Sequence, residues 1–373
     1  MTIIKVTTKL VKELKYAILL LVICPSLMLG AVSNVQFYAD INYHDGENES
    51  ETVEGTLDLF AAYKFDNTNS TLIELVLENA EDETHIEIER WWLKHKFSET
   101  ISLSVGRFHT PIGFWNKNYH HGAFLFDTVD RPFYLEFEDD GGVLPSHSVG
   151  INITGKIHSY DGHFSYQLIL ANNQTLENSH SDEHSHAVEA SPQPTSFFGD
   201  KLFLGVSLGY EPDNLPISLS LFFSDQTISG KEIELEEMPI IQLTDIFEQK
   251  IYSFDINGKW KNFDITVEYL VMVVDNLFEI SESYRSEAGY LQLRYSLSSQ
   301  SKLTFRSAAL EFKNDNSLYH LFTQKAKLRN SLTYRHDLNI NTVLKLQYSH
   351  NNYKHDLLAS DNEFAVQLAF FYM

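Results

Sequence analysis

The chain has 373 residues, among them 28 basic and 51 acidic side chains, and 13% of its residues are aromatic. This acidic excess excludes nucleic acid as a partner, because binding to phosphates requires a basic surface. The single cysteine excludes both a disulfide framework and a zinc site built from cysteines.

Residues 1–33 have the pattern of a secretory signal peptide, which is removed after export. Four lysines precede an apolar run over residues 16–30, and the small residues Ala31 and Ser33 follow it. A membrane anchor is the alternative, but the run is shorter than the roughly 20 residues that a spanning helix needs. We therefore expect a mature protein of residues 34–373, whose net charge becomes −26 instead of −23 when four lysines and one glutamate are removed.

From Val35 onward, segments of about ten residues alternate apolar and polar side chains, as strands with one apolar face do. About sixteen such segments follow one another, and an even number is typical of a closed bacterial barrel. The strand predicted at 85–97 changes phase near Trp91 and Trp92. A soluble β-sandwich would alternate in the same way, but such a long uninterrupted series favours an all-β, antiparallel transmembrane barrel.

The connections between these segments alternate in length, with seven short ones and eight long ones, the second of which we place at 79–84. Outer-membrane barrels have this asymmetry, because their periplasmic turns are short and their external loops are long. The pattern predicts a protein of the outer membrane, in contact with lipid through the apolar faces of its strands.

The longest connection, residues 108–146, follows the fifth predicted strand and is rich in Phe, Tyr, Leu and Trp. Apolar side chains in a long loop need a surface to cover them, and a barrel of this size has an aqueous interior that the loop can enter. We expect it to be a constriction loop inside the barrel; an external lid is the alternative. The side chains expected at the constriction are Arg131, Glu136, Glu138, Asp139 and Asp140.

The topology and the block VGRFHTPIGFWNKNYHHGAFLFDTVDRPFYLEFEDDGGVLPSHSVGI at 105–151 resemble the bacterial outer-membrane porin superfamily. The similarity covers both the 16-stranded general and substrate-specific porins and a porin-like group of proteobacteria. The final residues, 364–373, are similar to the C-terminal signature of outer-membrane barrels. This resemblance implies passive diffusion of small hydrophilic solutes or ions and, as in general porins, a homotrimer.

Charged residues out of phase with the apolar faces are expected to face the lumen, and their sign depends on position in the chain. The early strands contribute Asp40, Asp58, Glu74, Glu78, Glu87 and Glu89. The late strands contribute a basic wall of Arg294, Lys302, Arg306, Lys325, Lys327, Arg329, Arg335 and Lys345. Patches of charge are the usual means of ion selection in pores, although these charges could also serve only to keep the lumen wet. The overall acidity favours a weak cation preference.

Two other functions have support in the sequence. Lys325, Lys327 and Arg329 resemble the basic ladder of phosphate-selective porins, which would make the pore anion-selective. In the loop 176–190, His180, His184 and His186 lie among carboxylates that could hold a divalent metal. Such a loop would suit a plugged receptor that captures metal, or it is simply a solvated acidic loop.

Enzyme motifs such as GxSxG, the Walker loop, HExxH and GxGxxG are missing from the sequence. We therefore expect no enzymatic activity and, apart from metal at the histidine-rich loop, no cofactor.

Overall fold

A computed structural model describes residues 34–47, 52–80, 83–119, 122–138, 144–178, 188–191, 201–230, 233–235, 238–241, 244–276, 283–313, 327–353 and 360–373. The predicted signal peptide and the three histidines of the 176–190 loop lie outside these residues. Within them, no helix has the length and apolar character needed to cross a membrane.

The structure consists almost entirely of antiparallel strands. Sixteen of them form the barrel: β1 Asn34–Gly46, β2 Thr52–Lys64, β3 Asn69–Ala80, β4 Glu83–Lys96, β5 Ser102–His109, β6 His147–His158, β7 Gly162–Asn172, β10 Leu202–Pro212, β11 Ile217–Gly230, β14 Thr244–Trp260, β15 Phe263–Asn276, β16 Ser283–Ser296, β17 Ser301–Phe312, β18 Lys327–Asn339, β19 Thr342–Tyr353 and β20 Asp361–Tyr372. Two short hairpins complete the set: β8 Thr175–Asn178 with β9 Val188–Ser191, and β12 Ile233–Leu235 with β13 Met238–Ile241.

The barrel closes because its first and last strands pair. β1 and β20 run antiparallel in continuous register from Phe37 opposite Tyr372 to Gly46 opposite Glu363. The main sheet has 18 strands, and the two outside the barrel are β8 and β9, attached through a short parallel pairing of β8 with β11. The predicted all-β barrel of about sixteen strands is confirmed.

The strands are apolar on the outside and polar on the inside, the reverse of a soluble domain. On β19, Leu346 and Tyr348 are 37% and 51% exposed, whereas Lys345 and Gln347 between and beside them are 0% and 2% exposed. An apolar outer band around a polar interior is the arrangement that lipid requires of a barrel. The period-2 alternation of the sequence therefore corresponds to an apolar outer face and a polar inner face of the barrel wall.

The predicted long connection at 79–84 is wrong. β3 and β4 stay paired as far as Ala80 opposite Glu83, so only two residues separate them. The phase change near Trp91 has a structural cause: Glu74 pairs with Arg90 and Leu75 with Ile88, so Glu89 is the extra residue of a β-bulge.

Candidate functional site

The 108–146 segment begins in β5, which ends at His109, and β6 begins at His147, so its connecting part is 110–146. Its described portion contains a short helix, α1, at Gly113–Asn118, and a 3₁₀ helix at Phe133–Glu138. The largest apolar side chains of the segment are covered: Trp115 is 1% exposed, and Phe133 and Tyr134 are 0% exposed. Their cover is a hydrophobic cluster that includes Met272 of β15 and Leu310 of β17.

One carboxylate of the barrel wall binds both helical parts of the segment. Glu268 on β15 accepts hydrogen bonds at Oε2 from the backbone N–H groups of Phe114 and Trp115, at 2.8 and 3.1 Å. Its other oxygen, Oε1, accepts a hydrogen bond from the Tyr134 hydroxyl at 2.9 Å. The first backbone N–H groups of a helix lack partners within the helix, so Glu268 satisfies donors that would otherwise be buried without acceptors.

Gly113 allows this close approach. Its φ of +64° is one that side chains with a Cβ rarely adopt, and a Cβ at this position would lie 2.0 Å from Glu268 Oε1. Beside it, Lys117 at the end of α1 forms an ion pair with Asp255 of β14 at 2.9 Å and also contacts the hydroxyl of Ser220 on β11. The helix is therefore attached to β11, β14 and β15.

A second attachment involves Asp127 and the basic wall. The Asp127 carboxylate lies 2.7 Å from Arg294, 3.3 Å from Lys302 and 3.7 Å from Arg335. Burial alone would raise the pKa of Asp127, but these three cations, Arg294 foremost, outweigh burial and lower it below the ordinary value of 3.8. Asp127 is therefore charged at neutral pH.

Asp130 and the backbone carbonyls around it bind the remaining cations. Arg329 lies 3.5 Å from the Asp130 carboxylate, and Arg306 donates to the Asp130 carbonyl oxygen at 2.9 Å. Lys345, fully buried, donates to the carbonyl oxygens of Ala123 and Thr128 at 2.5 and 2.8 Å. These contacts extend the attachment across β17, β18 and β19.

Aromatic rings of the segment cover several of the same cations. The Arg306 guanidinium lies 4.6 Å from the centroid of the Trp115 ring, and Lys345 Nζ lies 4.3 Å from that of Phe126. Lys327 Nζ lies 4.8 Å from the ring of Phe133. Cation–π contacts of this kind are strongest where water is excluded, so the aromatic content of the segment supports its binding to the basic wall.

The predicted site residues are only partly brought together. Arg294, Arg306 and Arg329 contact the segment through Asp127, Asp130 and Thr128, and Lys327 contacts Phe133. Arg131 is half-buried. Glu136 and Glu138 belong to the 3₁₀ helix, but their side chains lie outside the described part of the structure. Asp139, Asp140 and Lys325, like the three loop histidines, lie outside the described residues.

Sequence reasoning missed the residues that bind the segment to the wall, namely Asp127, Asp130 and Glu268. Asp127 and Asp130 are isolated acids in a mostly apolar stretch, FLFDTVDRPFYL, and that isolation was the available signal. Glu268 is an inward carboxylate of β15, with nothing in its own strand to mark it.

Another part of the wall, on β1 to β3, is acidic. Asp40, Asp58 and Glu74 are buried on β1, β2 and β3, whereas Ile41 and Ile73, which point the other way, are 52% and 47% exposed. Glu74 forms an ion pair with Arg90 of β4. The anchors of the segment described above lie on β11 to β19, so this acidic sector is on a different part of the circumference.

No protein-family model and no curated protein matches the sequence. Solved structures do match in fold. A trimer form of OmpT from Vibrio cholerae is 10% identical, with a TM-score of 0.57 over 91% of this chain and 99% of that one. Salmonella typhi OmpF is 10% identical, with a TM-score of 0.57 over 91% and 97%. An anion-selective porin from Comamonas acidovorans is 11% identical, with a TM-score of 0.58 over 91% and 99%. The chain therefore has the fold of bacterial outer-membrane porins, a closed antiparallel barrel of sixteen strands.

Proposed function

We propose that this protein is a passive channel of the outer membrane that admits small hydrophilic solutes and ions and weakly prefers cations. The observation that carries the proposal is the attachment of the 110–146 segment to the basic wall through Asp127 and Asp130. A segment held inside a porin-type barrel narrows the lumen, and the charges left along the path then determine which solutes pass.

The sign of the preference follows from how the basic wall is neutralised. Arg294 contacts Asp127 and Asp264, and Arg329 contacts Asp130 and Glu363. Each of these guanidiniums therefore has two carboxylate partners, and Arg335 likewise has Asp127 and Asp337. Cations that are already paired attract a passing anion weakly. We infer that solutes move along the acidic sector, where Asp40 and Asp58 favour a positive charge.

Export and assembly complete the proposal. The signal peptide at 1–33 would direct the chain to the cell outer membrane, and N-terminal sequencing of the mature protein would test its cleavage site. The trimer form of the Vibrio cholerae protein supports a homotrimer here. Electrophoresis before and after heating, combined with chemical cross-linking, would reveal a species of three chains if this is right.

Two alternatives keep specific support. The basic ladder of Lys327 and Arg329, together with the fold of the Comamonas acidovorans protein, would suit an anion-selective pore. The bulk of the inward segment would suit a plugged receptor, whose histidine-rich loop at 176–190 captures metal. Neither alternative invokes enzymatic chemistry, and we propose none.

Reversal potentials under a salt gradient, measured on refolded protein in a planar bilayer, test the proposal. We expect a steady open current and a reversal potential displaced slightly toward the equilibrium potential of the cation. Asp58→Asn should reduce that shift, whereas the control Asp213→Asn, in an exposed turn where this side chain is 57% exposed, should leave it unchanged. A reversal potential displaced toward the equilibrium potential of the anion, with a smaller displacement when Lys327 is replaced, would instead establish the anion-selective pore. Absence of steady current would establish the receptor.

A further inference from the structure

The two ends of the 110–146 segment meet at a cluster of three metal-ligating side chains. His109 is the last residue of β5, His147 is the first of β6, and the two are directly opposite each other in the strand register. Glu89, the extra residue of the bulge in β4, lies beside them. The Arg107 side chain reinforces this arrangement, because its Nε donates to the backbone carbonyl of Glu89 at 2.9 Å.

The geometry points to a binding site for a transition-metal ion at this position, and we propose that Glu89, His109 and His147 hold Zn²⁺ or a similar divalent ion there. One ligand atom from each side chain lies within 4.8 Å of the other two. His147 Nε2 is 2.7 Å from Glu89 Oε2, and the centroids of the two imidazole rings are 5.0 Å apart.

Two imidazoles and a carboxylate form an established donor set for Zn²⁺, with ligand distances of roughly 2.0–2.2 Å and a fourth position open to water or another ligand. In a tetrahedron of that size the ligand atoms lie about 3.5 Å apart. The side chains therefore need to move by roughly an ångström, which rotations of the imidazole rings and of the glutamate can supply. Ni²⁺ and Cu²⁺ also favour imidazole ligands.

Burial is consistent with such a site. Glu89 and His147 are 3% and 1% exposed, and His109 is only half-buried, which leaves a route of entry for an ion. Buried charged and imidazole groups require strong interactions, and a divalent ion bound by all three would be one. The three side chains lie on β4, at the end of β5 and at the start of β6, so the ion would cross-link these three strands.

A second cluster with the same kinds of ligand shows why this one is preferred. His44, Asp130 and Glu363 also place ligand atoms within 4.8 Å of one another. Arg329, however, lies 3.5 Å from the Asp130 carboxylate and 3.3 Å from that of Glu363. A guanidinium between the two carboxylates repels an incoming cation.

The test uses the full-length protein refolded in detergent after chelator treatment, with Zn²⁺ titrated calorimetrically and Co²⁺ followed by its visible absorption. Because the 176–190 loop has histidines of its own, the parent protein carries His180→Ala, His184→Ala and His186→Ala. We expect one ion per chain, an intense Co²⁺ spectrum typical of four-coordinate sites, and a higher melting temperature with Zn²⁺.

His147→Ala and Glu89→Gln should each weaken Zn²⁺ binding by at least 100-fold, since even the loss of a group that only supports a ligand costs about 10–100-fold. The matched control is His95→Ala, which changes a histidine of β4 that is hydrogen-bonded to Asn69. This variant should bind Zn²⁺ normally. If His147→Ala does not fold, Glu89→Gln, which keeps a hydrogen-bonding group, decides the question. Binding that is absent in the parent, or unchanged in the folded Glu89→Gln protein, would overturn the proposal. Channel conductance is measured separately, so failure of either proposal leaves the other intact.

Discussion

Replacing Glu268 with alanine should release α1 and the 3₁₀ helix from the barrel wall. The carboxylate accepts three hydrogen bonds from the segment, those from Phe114 N, Trp115 N and the Tyr134 hydroxyl. An intramolecular hydrogen bond contributes about 0.5–1.5 kcal/mol net, so three of them contribute about 3 kcal/mol. At 1.4 kcal/mol for each tenfold change, the population of the detached helices should rise by about two orders of magnitude. Asp127 and Asp130 still hold the centre of the segment.

Single-channel recording is the appropriate assay, because a partly detached segment moves within the lumen. We expect open-channel noise and additional conductance levels in Glu268→Ala, and an intermediate effect in Glu268→Gln, which keeps one acceptor oxygen. Glu287→Ala is the control: Glu287 lies on the neighbouring strand β16 and is paired with Arg285 and Lys313. Heat-modifiable mobility on gels verifies that each variant forms a barrel. A folded Glu268→Ala channel as quiet as the wild type would refute the role given to this carboxylate.

Three further predictions concern the same segment. Gly113→Ala should reproduce the noise of Glu268→Ala, because a Cβ there would clash with the carboxylate and the strained φ costs on the order of 1–3 kcal/mol. Gly258→Ala is the control: a Cβ there has no neighbouring atom closer than 3.4 Å, so the open-channel noise should not change. The lowered pKa of Asp127 means that its ion pairs stabilise the segment above pH 3.8 and are lost as the pH falls below that value. Acid-induced noise should therefore appear in wild-type recordings below this pH. Asp127→Asn should show similar noise already at neutral pH. Deleting residues 133–142 removes the Tyr134 attachment together with the bulk of the 3₁₀ helix and should raise conductance, while an unchanged conductance would place the constriction elsewhere.

The strand pattern was predictable because the two faces of the wall differ in polarity along every strand. Leu346 and Tyr348 lie on the outer face, and Lys345 and Gln347 on the inner face, so the alternation recurs wherever a strand belongs to the barrel. Even the irregularity was visible, since the phase change near Trp91 coincides with the bulge at Glu89. The connection at 79–84 was misjudged because polar residues at the end of a strand read as loop although they continue the pairing.

The partners of the basic wall could not be predicted in the same way. The sequence drew attention to the densest acidic run, at 136–140, as part of the constriction. It gave no indication that two isolated acids, Asp127 and Asp130, contact Arg294 and Arg329. Which carboxylate reaches a given cation depends on the path of the segment through the lumen, and that path is determined by the burial of Trp115 and Tyr134 and by the acceptor at Glu268. The isolation of Asp127 and Asp130 in the sequence marks these residues, but nothing local identifies their partners.

The most direct test of the central claim is a bilayer recording of the refolded wild-type protein under a tenfold salt gradient. We predict a steady open current and a reversal potential displaced modestly toward the cation side, because the guanidiniums of Arg294 and Arg329 are each paired with two carboxylates. A closed barrel without steady current, or a reversal potential on the anion side, would contradict the account.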